Sequence, residues 1–161
     1  MPALTAVTDF VALTGTGAFD AGALRTVGGY LRIARTGSAE PISLGSLETV
    51  GSFLTLTGFA TSPVDLPSLL SVGGYFKLSE TGAAELTAPA LTSIGGDLTI
   101  LDNDNLADID FSALATLDDD LEVMRNPSLP TCQATDLEAQ LRAAGWTGTA
   151  DIRLNGTGTC P

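Results

Sequence analysis

The 161-residue sequence has no histidine, two cysteines, and seven basic residues against 19 acidic ones. Without histidine the chain cannot form a Ser-His-Asp or Cys-His catalytic arrangement, and it cannot form a His-ligated metal site. Its net charge of −12 argues against binding to nucleic acid or to an anionic membrane, since both need a cationic face. We therefore expect no nucleic-acid partner.

Long apolar runs are also missing. No stretch of about 18 apolar residues exists, so we expect no membrane insertion. No basic residue precedes Arg25, and polar residues interrupt the first apolar ones, so the start lacks a signal-peptide pattern. Either the protein is intracellular, or a leader or longer parent chain has been removed.

The two cysteines, Cys132 and Cys160, lie on either side of the last predicted helix and strand. A disulfide between them would stabilise this terminal unit by roughly 3 kcal/mol. Two unrelated buried thiols are the alternative. We expect the disulfide, which favours an oxidising compartment and hence an extracellular or cell-surface location.

An internal repeat dominates the sequence. Five similar segments start at positions 24, 47, 69, 91 and 114, at spacings of 22 or 23 residues, and a degenerate copy starts at Leu4. Each copy contains an alternating apolar-polar-apolar pattern, such as Leu98-Thr99-Ile100, which is typical of a strand. Three short inward-facing pieces per copy leave no room for a long helix. The repeat therefore predicts an all-β fold, a parallel β-helix (solenoid) of about six coils of 22–23 residues.

Glycine marks two expected corners of each coil. Gly-Gly pairs such as Gly95-Gly96 mark the first corner, where positive φ or close backbone approach is needed. Thr-Gly pairs mark the second, with Asn103 and Asn126 replacing the threonine in the last two copies. We expect the solenoid repeats to span residues 1–130 and a disulfide-stapled C-terminal cap to span residues 131–161, in one domain.

The segment from Leu91 to Leu117, with its Gly-Gly pair and Asn103, resembles a receptor L-domain repeat of the wider leucine-rich-repeat group. Leu121, Val123, Asn126 and Leu129 repeat the later part of that pattern. The resemblance implies a right-handed parallel β-helix that serves recognition, in most members outside the cell. It implies nothing about the ligand.

The cap is predicted from local patterns. Thr135 and Glu138 form a capping-box pattern that predicts a helix start, and Gly145 is placed to end the helix. Residues 150–154 alternate like a final strand, and Asn155-Gly156 is a turn signal. The N-terminal segment Met1–Val11 has no equivalent cap.

Acidic residues are concentrated between Asp97 and Glu122, which contain nine of the 19. Asp97 is expected to stack on Asp120 of the next coil, with Asp118 nearby. A solvated acidic face is the preferred interpretation, and no cofactor is required. Calcium bound by Asp97, Asp118 and Asp120 is the alternative, because calcium takes carboxylate oxygens. Coils this short leave little loop for a catalytic cleft, so we expect no enzyme.

Three aromatic residues follow the Gly corner in consecutive copies: Tyr30, Phe53 and Tyr75. By alternation they face outward, close to Arg32 and Lys77, and this mixture is typical of binding surfaces. The alternative is that the corner folds the three rings back against the coil. We expect a non-catalytic, extracellular or cell-surface recognition module that binds a protein or a glycan through this strip. The alternative is a structural module that self-associates end to end through its uncapped N-terminal end.

Overall fold

The computed structural model describes residues 4–15, 19–38, 42–59 and 63–160. They form a mostly-β parallel solenoid of about five turns, with coils of about 22 residues and a C-terminal helix against the last strand. This confirms the predicted solenoid. The turns number about five, against the six coils expected from the repeat.

The strands form four parallel sheets along the solenoid, numbered here in chain order. The first sheet has six strands: β1 (Ala6–Val7), β4 (Thr26–Val27), β7 (Thr49–Val50), β10 (Ser71–Val72), β13 (Ser93–Ile94) and β16 (Thr116–Leu117). The second sheet has seven longer strands: β2 (Val11–Gly15), β5 (Leu31–Ser38), β8 (Leu54–Phe59), β11 (Phe76–Ser79), β14 (Leu98–Leu101), β17 (Leu121–Met124) and β18 (Ala150–Arg153). The third side consists of β9 (Val64–Asp65), β12 (Glu85–Thr87) and β15 (Asp108–Asp110), with β3 (Phe19–Asp20) paired to β6 (Ile42–Ser43) nearer the N-terminus.

The core is built from inward rows of equivalent residues. In the second sheet Leu56 is opposite Leu78, which is opposite Ile100, and all three are at most 1% exposed. Each such side chain contributes about 1.5–3 kcal/mol relative to an exposed one. The alternation seen in the sequence therefore reflects burial: each coil buries its apolar residues against the coil above and the coil below.

The Gly-Gly corner is required by close approach between coils. A Cβ at Gly51 would lie 2.0 Å from the Gly28 carbonyl oxygen, and one at Gly95 would lie 2.5 Å from the Gly73 carbonyl oxygen. Among the glycines of the described residues with positive φ, none belongs to this corner. Of the two reasons we considered for these glycines, close approach is the one that the structure supports.

Positive φ occurs instead at the second corner, near the end of β8 at Gly58 and directly after β11, β14 and β17. Gly58 has φ of 77°, and its equivalents Glu80, Asp102 and Arg125 have φ of 55° or 56°. Our assignment of the Thr-Gly pairs to one equivalent position was wrong. Thr57 is opposite Ser79, which lies two residues before Thr81, so Thr57 and Thr81 are not equivalent. The glycine after Thr57 itself has the left-handed conformation that Glu80 has in the next coil.

Next to this corner, a polar ladder joins the C-terminal coils; its members are buried except for Asn155, which is half-buried. It consists of Thr81, Asn103, Asn126 and Asn155. The Asn103 Oδ1 accepts from the Thr81 amide and hydroxyl, and the Asn126 Oδ1 accepts from the Asn103 amide (3.1 Å) and Nδ2 (3.0 Å). The Asn155 Oδ1 accepts in the same way from the Asn126 amide. Asn155 was predicted as part of a turn, and its local Asn-Gly signal hid this role.

The cap helix α1 (Thr131–Ala143) begins four residues before the predicted Thr135. The capping-box prediction was wrong: the N-cap residue is Pro130, without a side-chain cap, and the Thr135 hydroxyl donates to the Cys132 carbonyl. The first turn is held by tertiary contacts instead, because the Thr131 amide and hydroxyl both donate to the Gly156 carbonyl at 2.9 Å.

The rest of the cap follows the prediction. Ala134, Leu137 and Leu141 are buried on one face of α1, and Gly145 (φ 99°) follows the end of the helix. Strand β18 joins the second sheet as its last member. Cys132 and Cys160 form a disulfide across a sequence separation of 28 residues. Within the described ranges, no helix has the length and apolar character needed to cross a membrane.

Candidate functional site

The outer face of the second sheet carries a continuous stack of four aromatic rings. The rings belong to Phe10, Tyr30, Phe53 and Tyr75, the residues that directly precede β2, β5, β8 and β11; we call them the aromatic ladder. Successive ring centroids are 4.7, 4.5 and 4.9 Å apart, and the rings are parallel to within 8°. This spacing equals the distance between neighbouring strands, so the sheet itself sets the stacking.

The stack orients the rings in a specific way. The inner rings of Tyr30 and Phe53 have a neighbouring ring on both faces, whereas Phe10 and Tyr75 end the stack and are 49% and 40% exposed. Solvent therefore meets mainly the edges of the inner rings. Ring edges carry partial positive charge and ring faces partial negative charge.

The same row continues toward the C-terminus with carboxylates. Asp97 and Asp120 occupy the position before β14 and β17. The Asp97 Oδ1 accepts from the Asp120 amide at 3.0 Å, and the Asp120 Oδ1 accepts from the Thr149 amide at 2.8 Å. Each carboxylate therefore holds the backbone of the following coil.

The acidic residues proposed for calcium do not converge. Asp97 is opposite Asp120 as expected, whereas Asp118 is an exposed residue opposite Gly95, at the close-approach corner. In the part of the chain that the structure describes, no group of three or more acidic or cysteine side chains is placed to hold a metal ion.

A shallow groove of about 460 Å³ runs beside the aromatic ladder. The rings of Tyr30, Phe53 and Tyr75 form one side. The neighbouring outward row forms the rest, in which Arg32, Thr55 and Lys77 lie opposite one another on β5, β8 and β11. Its volume lies in the range of small-ligand sites.

The two cations of the groove are unusual in this chain. Among the basic side chains that the structure describes, four form ion pairs with carboxylates: Arg25 with Glu48, Arg125 with Asp102, Arg142 with Glu138 and Arg153 with Asp151. In the same described part of the chain, Arg32 and Lys77 form none. Arg32 is exposed and Lys77 is half-buried. The groove therefore keeps two charges that no described carboxylate neutralises by direct contact.

Among the titratable groups that the structure describes, Asp102 and Arg125 have shifted pKa values, and they lie at the corner beyond this groove. The hydrogen bond from Arg125 lowers the pKa of the Asp102 carboxyl, and the charges of Arg125 and, less, Lys77 act in the same direction. The Arg125 Nη2 is 2.8 Å from the Asp102 Oδ2. The same pair raises the pKa of Arg125. Asp102 is thus committed to Arg125 and leaves Lys77 without a direct partner.

A second groove of about 320 Å³ lies between β15 and α1. Asp108, Asp110 and Asp136 line it, and glutamines of α1 cover the adjoining strand edge. The Gln133 Oε1 accepts from the Ile109 amide at 2.9 Å, and the Gln140 Nε2 donates to the Phe111 carbonyl at 2.9 Å. These contacts close the open edge of the third sheet.

The structure brings the five predicted ligand residues together: Tyr30, Phe53, Tyr75, Arg32 and Lys77 all line one groove. Sequence reasoning missed Phe10, which begins the aromatic ladder. Its position before Val11 matches that of Tyr30 before Leu31. The signal was weakened because Phe10 lies 20 residues before Tyr30, short of the regular 22 or 23.

Comparison with known proteins yields no match: no family model, no curated protein and no solved structure is significantly similar to this chain. The fold places the protein in the class of parallel β-solenoids, here with a disulfide-linked C-terminal cap.

Proposed function

We propose that this solenoid is a non-catalytic recognition module that binds a partner through the groove beside the aromatic ladder. The observation that carries the proposal is the ladder itself: four parallel rings, exposed at both ends, on the outer face of the longest sheet. Exposed aromatic side chains next to unpaired cations are what interfaces use as anchors. The partner class is a protein or a glycan.

The receptor L-domain resemblance and an extracellular or cell-surface location belong to the same proposal. Asn103 and Asn126, which carried the resemblance, are buried and bonded from coil to coil. The Cys132–Cys160 disulfide hints at an oxidising compartment. Both features support a recognition module outside the cytosol.

The test is a screen of glycan and peptide arrays with three versions of the protein. Wild type is compared with Tyr30→Ala/Tyr75→Ala, which breaks the ladder, and with Leu70→Ala/Leu154→Ala, which removes exposed apolar side chains elsewhere. We expect the wild type and the leucine variant to share their hits and the tyrosine variant to lose them. Equal binding by all three would remove the groove as the binding site. Circular dichroism checks that the tyrosine variant is folded.

Self-association through the N-terminal end is the second candidate. In the described residues β1 and β2 are the outermost strands of their sheets, and Leu4 and Phe10 are 63% and 49% exposed. A strand edge and a ring face of this kind would accept an equivalent coil. Sedimentation at several concentrations tests it: a strict monomer excludes it, and a dimer that Phe10→Asp abolishes supports it.

A further inference from the structure

We infer that the groove beside the aromatic ladder binds an acidic peptide segment of a protein partner, through carboxylates held by Arg32 and Lys77. This inference rests on the proposed recognition function and specifies its ligand. Three features of the groove point to the same chemistry: its unpaired cations, its ring edges and its hydroxyl groups.

The cations supply the charge. Arg32 and Lys77 are separated by the single strand that carries Thr55, so their backbones are about 9.6 Å apart. Both lie in the N-terminal part of the chain, where residues 1–78 carry four basic and five acidic side chains, whereas residues 79–161 carry three and 14. The groove therefore lies in the half of the chain that carries little net charge, and it borders the acidic half at Asp97, the residue that follows Tyr75 in the same row.

The ring edges favour an anion rather than an apolar or sugar surface. A sugar ring stacks on the face of an aromatic side chain, and here the faces of Tyr30 and Phe53 are covered by neighbouring rings. The exposed edges are the electropositive part of each ring, which carboxylates approach in the ring plane. Among the three groove rings, only that of Tyr75 has a face without a stacked ring, so a glycan finds one aromatic face here, whereas a carboxylate finds a row of ring edges.

The hydroxyl groups complete the donor set. Thr55 and Thr57 line the groove between the cations, and the phenol groups of Tyr30 and Tyr75 belong to the ladder beside it. Hydroxyls and ammonium or guanidinium groups are donors, which is the arrangement an acceptor-only carboxylate requires. An extended peptide with closely spaced acidic residues fits this linear array better than a single compact anion.

The experiment uses the tyrosine rings as reporters, because the chain has two tyrosines, Tyr30 and Tyr75, and both line the groove. Capped oligoglutamate is titrated into the protein while the tyrosine ring NMR signals and the heat of binding are followed. Oligoglutamine of equal length tests the need for charge, and oligogalacturonate tests an acidic glycan. We expect only oligoglutamate to shift both tyrosines strongly, with binding that weakens as salt is added.

The charge variants locate the site. Arg32→Gln/Lys77→Gln is expected to weaken oligoglutamate binding at least about tenfold. Arg25→Gln/Arg153→Gln changes the net charge equally, at cations outside the groove that pair with Glu48 and Asp151, and is expected to bind like wild type. Equal weakening by both variants would show a general charge effect and overturn the inference, as would tighter binding of oligogalacturonate than of oligoglutamate.

The failure of this inference is distinct from the failure of the proposed function. If no acidic probe binds but array hits still depend on Tyr30 and Tyr75, the groove recognises a different partner and only the acidic-peptide inference is wrong. If neither acidic probes nor array hits depend on these residues, both proposals are wrong.

Discussion

One position in the coil, the residue before each long strand, is filled in two different ways along this solenoid. In the N-terminal coils it holds the aromatic ladder, whose rings stack on one another. In the C-terminal coils it holds Asp97 and Asp120, each of which accepts a hydrogen bond from the backbone of the following coil. The backbone register is the same in both regions.

The difference bears on the proposed binding face. Several polar side chains of the C-terminal coils are used internally, in the carboxylate contacts of Asp97 and Asp120 and in the polar ladder of Thr81, Asn103, Asn126 and Asn155. The N-terminal coils are joined on this face by ring stacking, which leaves ring edges and the side chains of Arg32 and Lys77 directed to the groove. The polar side chains that join coils and the polar side chains that we propose bind a partner therefore lie in different coils.

The largest expected effect tests the polar ladder. Asn126→Ala removes five hydrogen bonds of a buried amide and leaves the carbonyls of Ile100 and Met124 and the Asn103 amide without these partners. We expect a loss of about 4 kcal/mol in the free energy of unfolding, measured with denaturant. Asn105→Ala, at an exposed asparagine of the preceding coil, is the control and should change little. Similar losses for both variants would contradict the structural role of the ladder.

The second prediction compares the stability effects of substitutions at the Gly-Gly corner in an N-terminal coil and in the last coil. Gly51→Ala places a Cβ 2.0 Å from the Gly28 carbonyl oxygen, so the backbone must shift, and we expect a loss of about 3 kcal/mol. The last coil already has Asp118 at the equivalent corner, where its amide is 3.1 Å from the Ile94 carbonyl, against 2.8 Å for Gly51 to Val27. Asp118→Ala should therefore be nearly neutral in thermal unfolding. If Gly51→Ala lowered the free energy of unfolding only slightly, the spacing between coils would be shown to adapt freely at this corner.

A smaller effect is expected from substitutions at the residue before each long strand, which is aromatic in the N-terminal coils and a carboxylate in the C-terminal coils. Phe53→Ala removes a ring stacked at 4.5 and 4.9 Å on its two neighbours, and we expect a loss of about 2 kcal/mol from apolar burial and ring contact. Asp97→Ala exposes the Asp120 amide to water at an already exposed position, so its loss should be below about 1 kcal/mol. If Asp97→Ala is the more damaging variant, the carboxylates carry more of the stability than the rings.

The sequence repeat was sufficient to predict the coil, because residues 22 or 23 apart stack directly on one another and their alternation reports burial. Features set by contacts across coils were not predictable from local patterns. The start of α1 depends on the Gly156 carbonyl, which lies 25 residues from Thr131. Phe10 joins the aromatic ladder through a shortened first coil. Asn155 is part of a turn signal in the sequence, although its side chain completes the polar ladder. The groove was predicted only as a strip of three aromatics and two cations, since the orientation of ring edges requires coordinates.

The smallest expected effect concerns the pKa of Asp102, which depends on Arg125 and Lys77 where the N-terminal and C-terminal coils meet. Arg125 lowers the pKa of Asp102 in the folded protein, so this pair stabilises the fold above the ordinary carboxyl pKa, and the stabilisation is lost as the pH falls through the lowered value. Arg125→Gln should raise the pKa of Asp102 toward its ordinary value, as followed by carboxyl carbon NMR during an acid titration. Lys77→Gln should raise it less, because Lys77 acts only through its charge at a distance. The stability difference between Arg125→Gln and wild type should be present at neutral pH and disappear where Asp102 is protonated in both. If Lys77→Gln produces the larger shift in the pKa of Asp102, Lys77 is committed to Asp102 rather than to the groove, and the separation between the proposed binding coils and the C-terminal coils fails at that residue.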